Sequence, residues 1–324
     1  MIYSRKDFFG QRFWGNKNKF GLLKYESWNL GDDIQSIAAS QYLPHIDFRV
    51  SRDHLSEVSQ WSPMKMIMNG WWLGPFDGTP IDWPPPSNID PLFISFHGGR
   101  DELYEKKYLD YYKQHGPIGC RGYKTLERLQ DLGVESYFSG CLTLTLQNPY
   151  SEKERTNNIY FVDPFSFGEG RKYPTPNSKN FRQDLWEKFP REIREKSEYI
   201  RHVVNLKPSD YINPYKRYKM ACNLLHKYAK AKLVITGRIH CALPCLAMGT
   251  PVIFLTDSEI LQSDYRMGGL IDLFKHYTHT QILEEDFNIN WENPEPNPVD
   301  VSFLATSLRQ KCENFTGNTL QRRF

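Results

Sequence analysis

Five short segments of this 324-residue chain set polar, chemistry-bearing side chains among apolar neighbours. The richest is Thr236-Gly-Arg238-Ile-His240, followed by Cys-Ala-Leu-Pro. A guanidinium in such surroundings needs a carboxylate partner or an anionic ligand, because an unpaired buried charge is costly. His240 opens a helix, whose positive dipole end favours the neutral imidazole and nearby anions. Both readings stay open here: an anion site, or an internal arginine–carboxylate pair with a capping histidine. Arg121 follows Ile118-Gly-Cys120 and supplies a second guanidinium. Two guanidiniums suit a ligand carrying both carboxylate and phosphate, although a surface ion pair is the plainer alternative for Arg121 alone. His97-Gly98-Gly99 sets an imidazole beside backbone that can come close to a ligand. Asn29-Leu-Gly-Asp32 offers a helix cap and a carboxylate, a general base for a sugar hydroxyl or simply a helix-start acid. Ser139-Gly-Cys-Leu-Thr-Leu-Thr145 offers hydroxyls or an ordinary strand.

The elements around these segments repeat one rhythm. Strands are expected at 20–25, 48–50, 64–68, 92–96, 117–120 and 135–138. Apolar residues at helical spacing mark 34–43, which Pro44 stops, with further helices at 102–115 and 125–132. Gly70 to Pro91, rich in Trp, Pro and Gly, reads as loop. The rhythm restarts near Ser151, with strands at 158–162, 199–204, 232–236 and 252–255 and helices at 181–197, 214–231 and 241–248. A polar loop follows Asp163-Pro164, and a last amphipathic helix runs from Asp300 to Phe315. Alternating strands and helices predict an α/β fold with parallel sheets. The natural architecture is two Rossmann-like domains with a central cleft: residues 1–150, then 151–299, then a C-terminal helix and tail at 300–324. His97, Arg121 and Arg238 then fall at carboxyl ends of strands, where open α/β sheets bind ligands.

Composition narrows the function. Hydrophobic residues make up 40% and charged residues 24%, which excludes a wholly disordered chain. The net charge of +3 does not suggest a nucleic-acid binder. Eighteen basic against ten acidic residues between Ser151 and Lys232 could draw a phosphorylated donor or an anionic membrane surface, or form a solvated face. The 15% aromatic content suits packing, with Trp71-Trp72 and Trp83-Pro84 as candidates for sugar or membrane contact or for a loop folded over the core. The six cysteines form no CxxC pair, and Cys241 and Cys245 read as core. The start, Met1 to Asp7, lacks the apolar stretch of a signal peptide, and no apolar run is long enough to span a bilayer, so a cytoplasmic protein is expected. No dinucleotide fingerprint, P-loop or nucleophile elbow occurs, and no metal site is expected.

Four of these pieces together resemble the polysaccharide pyruvyltransferase family. They are Asn29-Leu-Gly-Asp32; Ile118-Gly-Cys-Arg-Gly-Tyr-Lys-Thr125; Tyr137-Phe-Ser-Gly-Cys-Leu-Thr-Leu-Thr145; and the run from Leu233 through Arg238 and His240 to Ile253. Their order matches the family's across residues 20–275. The resemblance implies a fold like the two-domain glycosyltransferases of the B type (GT-B-like). It implies transfer of pyruvate from phosphoenolpyruvate to a sugar as a cyclic ketal, typically a 4,6-ketal on a galactose-like residue of capsular or other surface polysaccharide. No cofactor is implied beyond phosphoenolpyruvate as co-substrate. The donor pocket would fall to Arg121, Arg238 and His240, with His97 a further member. His240 would be the general acid, and Asn29, Asp32 and Trp71 would face the acceptor sugar. A lipid-linked oligosaccharide acceptor would put the protein at the inner face of the membrane in peripheral contact. Two departures stand out: Gly122 where the family often has an aspartate, and Asn69-Gly-Trp-Trp-Leu73 where many members carry a glycine cluster. Two competing readings are a nucleotide-sugar-dependent glycosyltransferase on the same scaffold and a non-catalytic carbohydrate-binding relative.

Overall fold

The structure, a computed structural model, describes residues 18–74, 79–165, 175–176, 178, 181–203, 213–257 and 267–320. The start at Met1 to Asp7 and most of the polar loop after Pro164 lie outside these residues.

The first half builds a parallel sheet from β1 (Phe20–Lys24), β2 (Phe48–Ser51), β3 (Met64–Ile67), β4 (Gly70–Trp72), β5 (Ile89–Leu92), β6 (Phe96–Gly98), β7 (Ile118–Cys120) and β8 (Ser136–Phe138). The strand orders are β2-β1-β3-β5 and β4-β6-β7-β8. β3 leads into β4 and β5 into β6 after a short break, so the two ladders continue one another. The break in the second pair is at Phe93–Ser95, where Ser95 takes a left-handed φ of 56°. Across it, Gly119 N still donates to Phe93 O at 3.0 Å and Arg121 N to Phe96 O at 2.9 Å.

The second half forms a five-stranded parallel sheet, β10-β9-β11-β12-β13. Its strands are β9 (Ile159–Val162), β10 (Glu198–Ile200), β11 (Leu233–Thr236), β12 (Val252–Thr256) and β13 (Lys275–Thr278). In both sheets the half's first strand lies between its second and third. Chain direction across the sheet reverses there, the kind of point at which open α/β sheets bind ligands, outside the carboxyl ends of the strands.

Three apolar clusters organise the layers. One fills the space between the sheets. It takes Phe20 and Leu22 of β1, Val162 of β9 and Val234 of β11, with residues of the helices α1 (Leu30–Ser40), α3 (Pro214–Lys230) and α4 (Ile239–Ala247). The alternate strand residues face outward: Leu23 joins Trp72, Trp83, Phe96 and Tyr112, and Phe161 and Ile235 join Trp186 and Phe189. Both faces are covered, which is why these strands read as continuous apolar runs. The helix after β7, α2 (Tyr123–Asp131), packs with β7 and β8. The last helix, α5 (Ser302–Thr316), returns to the first half, where Lys65 Nζ donates to Phe315 O at 3.0 Å and Asn318 Nδ2 to Tyr42 O at 3.1 Å.

Several local expectations change. The stretch 70–91 contains β4 and the start of β5, and the strand expected at 92–96 is the break between β5 and β6. Helix 102–115 is two 3-10 turns followed by a helix at Leu109–Gln114, and 181–197 is two short helices. Leu142–Thr145 is a buried 3-10 turn whose hydroxyls bond locally, Thr143 Oγ1 to Cys141 Sγ and Thr145 Oγ1 to Leu142 O. Trp72 and Trp83 pack into the outer cluster, so neither ring is available to sugar or lipid. All six cysteines are buried and free. Among the described residues no helix is long and apolar enough to cross a membrane.

Candidate active site

The carboxyl ends of the first sheet gather a buried polar cluster. Tyr25 follows β1, Arg52 follows β2, and Arg121 follows β7. Asn69 lies between β3 and β4, and His97 is in β6. Asp32 joins them from the first turn of α1. The loop ahead of that helix is capped by Asn29, whose Oδ1 accepts from Gly31 N at 3.0 Å. Asp32 Oδ2 accepts from Ser27 Oγ at 2.5 Å. Arg52 forks onto Asp53 through two 2.9 Å bonds and lies 5.2 Å from the centre of the Tyr25 ring. Burial works against the Arg52 charge, but Asp32 and Asp53 outweigh it and raise its pKa. Burial likewise pushes the Tyr25 phenol far up, with Asp32 adding to it.

Arg121 differs from its neighbours. It is 1% exposed, and neither Nε nor Nη1 has a hydrogen-bond partner among the described residues. Burial pulls its pKa down, against the countering fields of Cys141, Asp32 and Tyr25. A guanidinium held this way has the donors and the charge to bind an anion. Beside it, Tyr123 N donates to Gly268 O at 3.3 Å, a contact between the halves. A Cβ at Gly122 would lie 3.1 Å from that same carbonyl oxygen, so the glycine lets the two loops meet.

His97 is buried, with Nδ1 3.1 Å from Thr125 Oγ1, and its ring centre is 5.9 Å from that of Trp71. Trp71 in turn lies tightly against Gly99, where a Cβ would come within 2.5 Å of the indole Nε1. His97 and Trp71 thus form their own pair. It adjoins Arg121 through the Phe96–Cys120 register and through Thr125 on the helix that follows Arg121.

The second sheet presents Asp163 after β9, His202 after β10 and Arg238 after β11. Asp163, at φ 39°, accepts from His202 N at 2.9 Å and from Arg238 Nε at 3.1 Å. Of the two sequence readings for Arg238, the carboxylate partner is therefore present. Arg238 is also the N-cap of α4, which puts His240 in the first turn of that helix, largely buried. His202 bonds Tyr228 Oη through Nε2 at 2.6 Å; burial, helped by Arg238, lowers its pKa to about 3.

The start of α1 is where the halves join. Leu30 N donates to His202 O at 2.9 Å, and Asn29 bridges Val203. A Cβ at Gly31 would be 3.1 Å from His240 Cβ, so His240 packs directly on the turn that carries Asp32. Arg217 of α3 reaches the same turn. Its Nε and Nη2 pair with Asp33 at 3.1 and 2.6 Å, and its Nη1 donates to Ser27 O. Of the residues singled out in the sequence, Asn29, Asp32 and His240 thus meet at one turn of helix, and Arg121 feels the charge of Asp32 from β7.

Comparison with known families decides the affiliation. The family model for polysaccharide pyruvyl transferase matches residues 29–259. The chain belongs to the polysaccharide pyruvyl transferase family. No curated protein matches it. Membership implies a transferase that moves a pyruvyl group onto polysaccharide. The matched span begins at the Asn29 cap and includes Arg52, His97, Arg121, Asp163, Arg238 and His240, while Tyr25, just after β1, lies before it.

Several buried residues of the site escaped the sequence reading, among them Arg52, Asp163, His202 and Arg217. Asp163 follows an apolar strand just as Arg238 does, which was a usable signal. Arg217 shares the helical face of Ala221, Leu224 and Tyr228, all buried. A charge at helical spacing within an apolar stripe marks a specific partner. Arg52 carried no comparable signal.

Proposed function

We propose that this chain transfers pyruvate from phosphoenolpyruvate to a sugar, closing a 4,6-ketal on a galactose-like residue of a surface polysaccharide such as capsule. The observation that carries the reading is the buried Arg121 guanidinium, whose Nε and Nη1 meet no acceptor among the described residues. Phosphoenolpyruvate brings a carboxylate and a phosphate, and either satisfies those N–H groups with charge-assisted bonds.

Arg121 holds the donor from the first half and Arg238 from the second, with Asp163 fixing the Arg238 plane. His240 gives a proton to the methylene carbon, which becomes the methyl group and leaves C2 electrophilic. One sugar hydroxyl bonds to C2 and its proton passes to Asp32. Phosphate then departs with the C2–O bond pair, steadied by the guanidiniums. The second hydroxyl bonds to C2 and closes the ring, and its proton passes to the imidazole of His240, which restores the acid. Asn29 and Trp71 line the acceptor side, and His97 supports the donor side. Phosphoenolpyruvate is consumed as co-substrate. The basic stretch between Ser151 and Lys232 favours an acceptor carried on lipid at the inner membrane face.

The test is incubation with phosphoenolpyruvate and a set of galactose-terminated acceptors. The expected result is released inorganic phosphate together with an acceptor heavier by pyruvic acid less one water. Phosphate-free mixtures that turn over a nucleotide sugar instead would overturn the reading.

A further inference from the structure

The carboxylate assigned to the acceptor belongs by chain to the first half, yet the turn that carries it is gripped by a side chain of the second. Asp32 is held by Ser27 Oγ, in the loop that enters α1. Arg217, 1% exposed on α3, grips both ends of that loop. Its Nη1 donates to Ser27 O, and Nη2 makes a long 3.5 Å contact with Asn29 O. The other edge of the same guanidinium forks onto Asp33, next to Asp32 in sequence. One planar group therefore binds residues 27, 29 and 33 at once, and only arginine has the donor geometry for it.

Stability alone is a weak reason for such a buried pair, since apolar replacements of both partners are often tolerated. The two backbone carbonyls are the informative part, because they have no bearing on the charge balance with Asp33. We propose that Arg217 is a positioning residue, which sets Asp32 against the acceptor hydroxyl by clamping the 27–33 turn onto the second half. This rests on the role given to Asp32 above. The two guanidiniums that hold the donor are placed independently of the clamp, Arg121 by β7 and Arg238, after β11, by Asp163.

Two variants test it. Arg217→Lys keeps a cation beside Asp33 but cannot fork to the carbonyls. The double variant Asp33→Asn with Arg217→Met removes both charges and so avoids an orphaned ion. In each folded protein, amide hydrogen exchange across residues 26–33 should rise at least about tenfold without substrate, because the turn opens locally. With phosphoenolpyruvate and a galactose-terminated acceptor, kcat should fall by about 100-fold, the scale expected for a misplaced group. Phosphoenolpyruvate affinity by calorimetry should stay unchanged. Unaltered exchange in both variants overturns the clamp. Faster exchange with wild-type kcat overturns the positioning role. Wild-type protein that binds no phosphoenolpyruvate overturns the functional reading instead, and the exchange result still decides the clamp.

Discussion

Arg52, Arg217 and Arg238 are each matched by a carboxylate, Asp53, Asp33 and Asp163 respectively, whereas Arg121 is buried with two nitrogens unanswered among the described residues. This contrast marks Arg121 as the guanidinium whose charge no carboxylate of the described residues answers. Replacing Arg121 by Met should therefore leave thermal stability the same or raise it, since an unpaired buried charge is removed. The same change should weaken phosphoenolpyruvate binding by about 10- to 100-fold, the value of charged hydrogen bonds. Melting curves and calorimetry on the one variant read both effects. His240→Ala should lower kcat by about 100- to 10,000-fold at saturating phosphoenolpyruvate, as loss of a general acid does. Near wild-type turnover would remove His240 from that role. At this scale much was legible: Arg121, Arg238 and His240 stood out as polar residues at the ends of apolar strands. The choice between partner and ligand was not legible, because it depends on Asp163, which is 75 residues from Arg238 in sequence.

Among the elements, α1 is the one on which the site turns. Its cap was readable from Asn29 and the acids that follow, because capping is a local property. Its neighbours were not, because Arg217, His202 and His240 reach it from another part of the chain. Gly31→Ala should test how close this packing is. The added carbon would sit 3.1 Å from both Asn29 Oδ1 and His240 Cβ. Overpacking of this kind costs about 1–3 kcal/mol, so the denaturation midpoint should drop and kcat with it. The strands that were misjudged have a similar cause. Gly70–Trp72 and Ile89–Leu92 are short, bounded by Pro and Gly, and gain their pairing only from β6 and β3. Tertiary register overrides local turn chemistry there.

At the level of the molecule, the sheets of the two halves, each with its first strand between its second and third, share one apolar layer, and the join between them crosses the site. The repeated strand–helix rhythm made the two sheets legible. The return of α5 to the first half and the common central cluster were not, since no local signal encodes them. His202 lies on this join, donating its backbone N–H to Asp163 and accepting from Leu30 N. Its pKa falls from an ordinary 6.5 to about 3 in the fold, so the unfolded chain takes up a proton that the folded one refuses. The contribution is complete above 6.5 and is lost progressively as pH falls toward 3. Between pH 6.5 and 5 the loss is about 2 kcal/mol. His202→Gln should flatten the dependence of the melting temperature on pH across that window. An unchanged slope would mean that His202 takes up its proton equally in the folded and unfolded chains.

The most direct measurement is calorimetric titration of phosphoenolpyruvate into the wild-type protein and into Arg121→Met, side by side. Saturable one-to-one binding to the wild type, reduced at least about tenfold in the variant, is the predicted result. Equal affinity in the two proteins, or binding to neither, would contradict it.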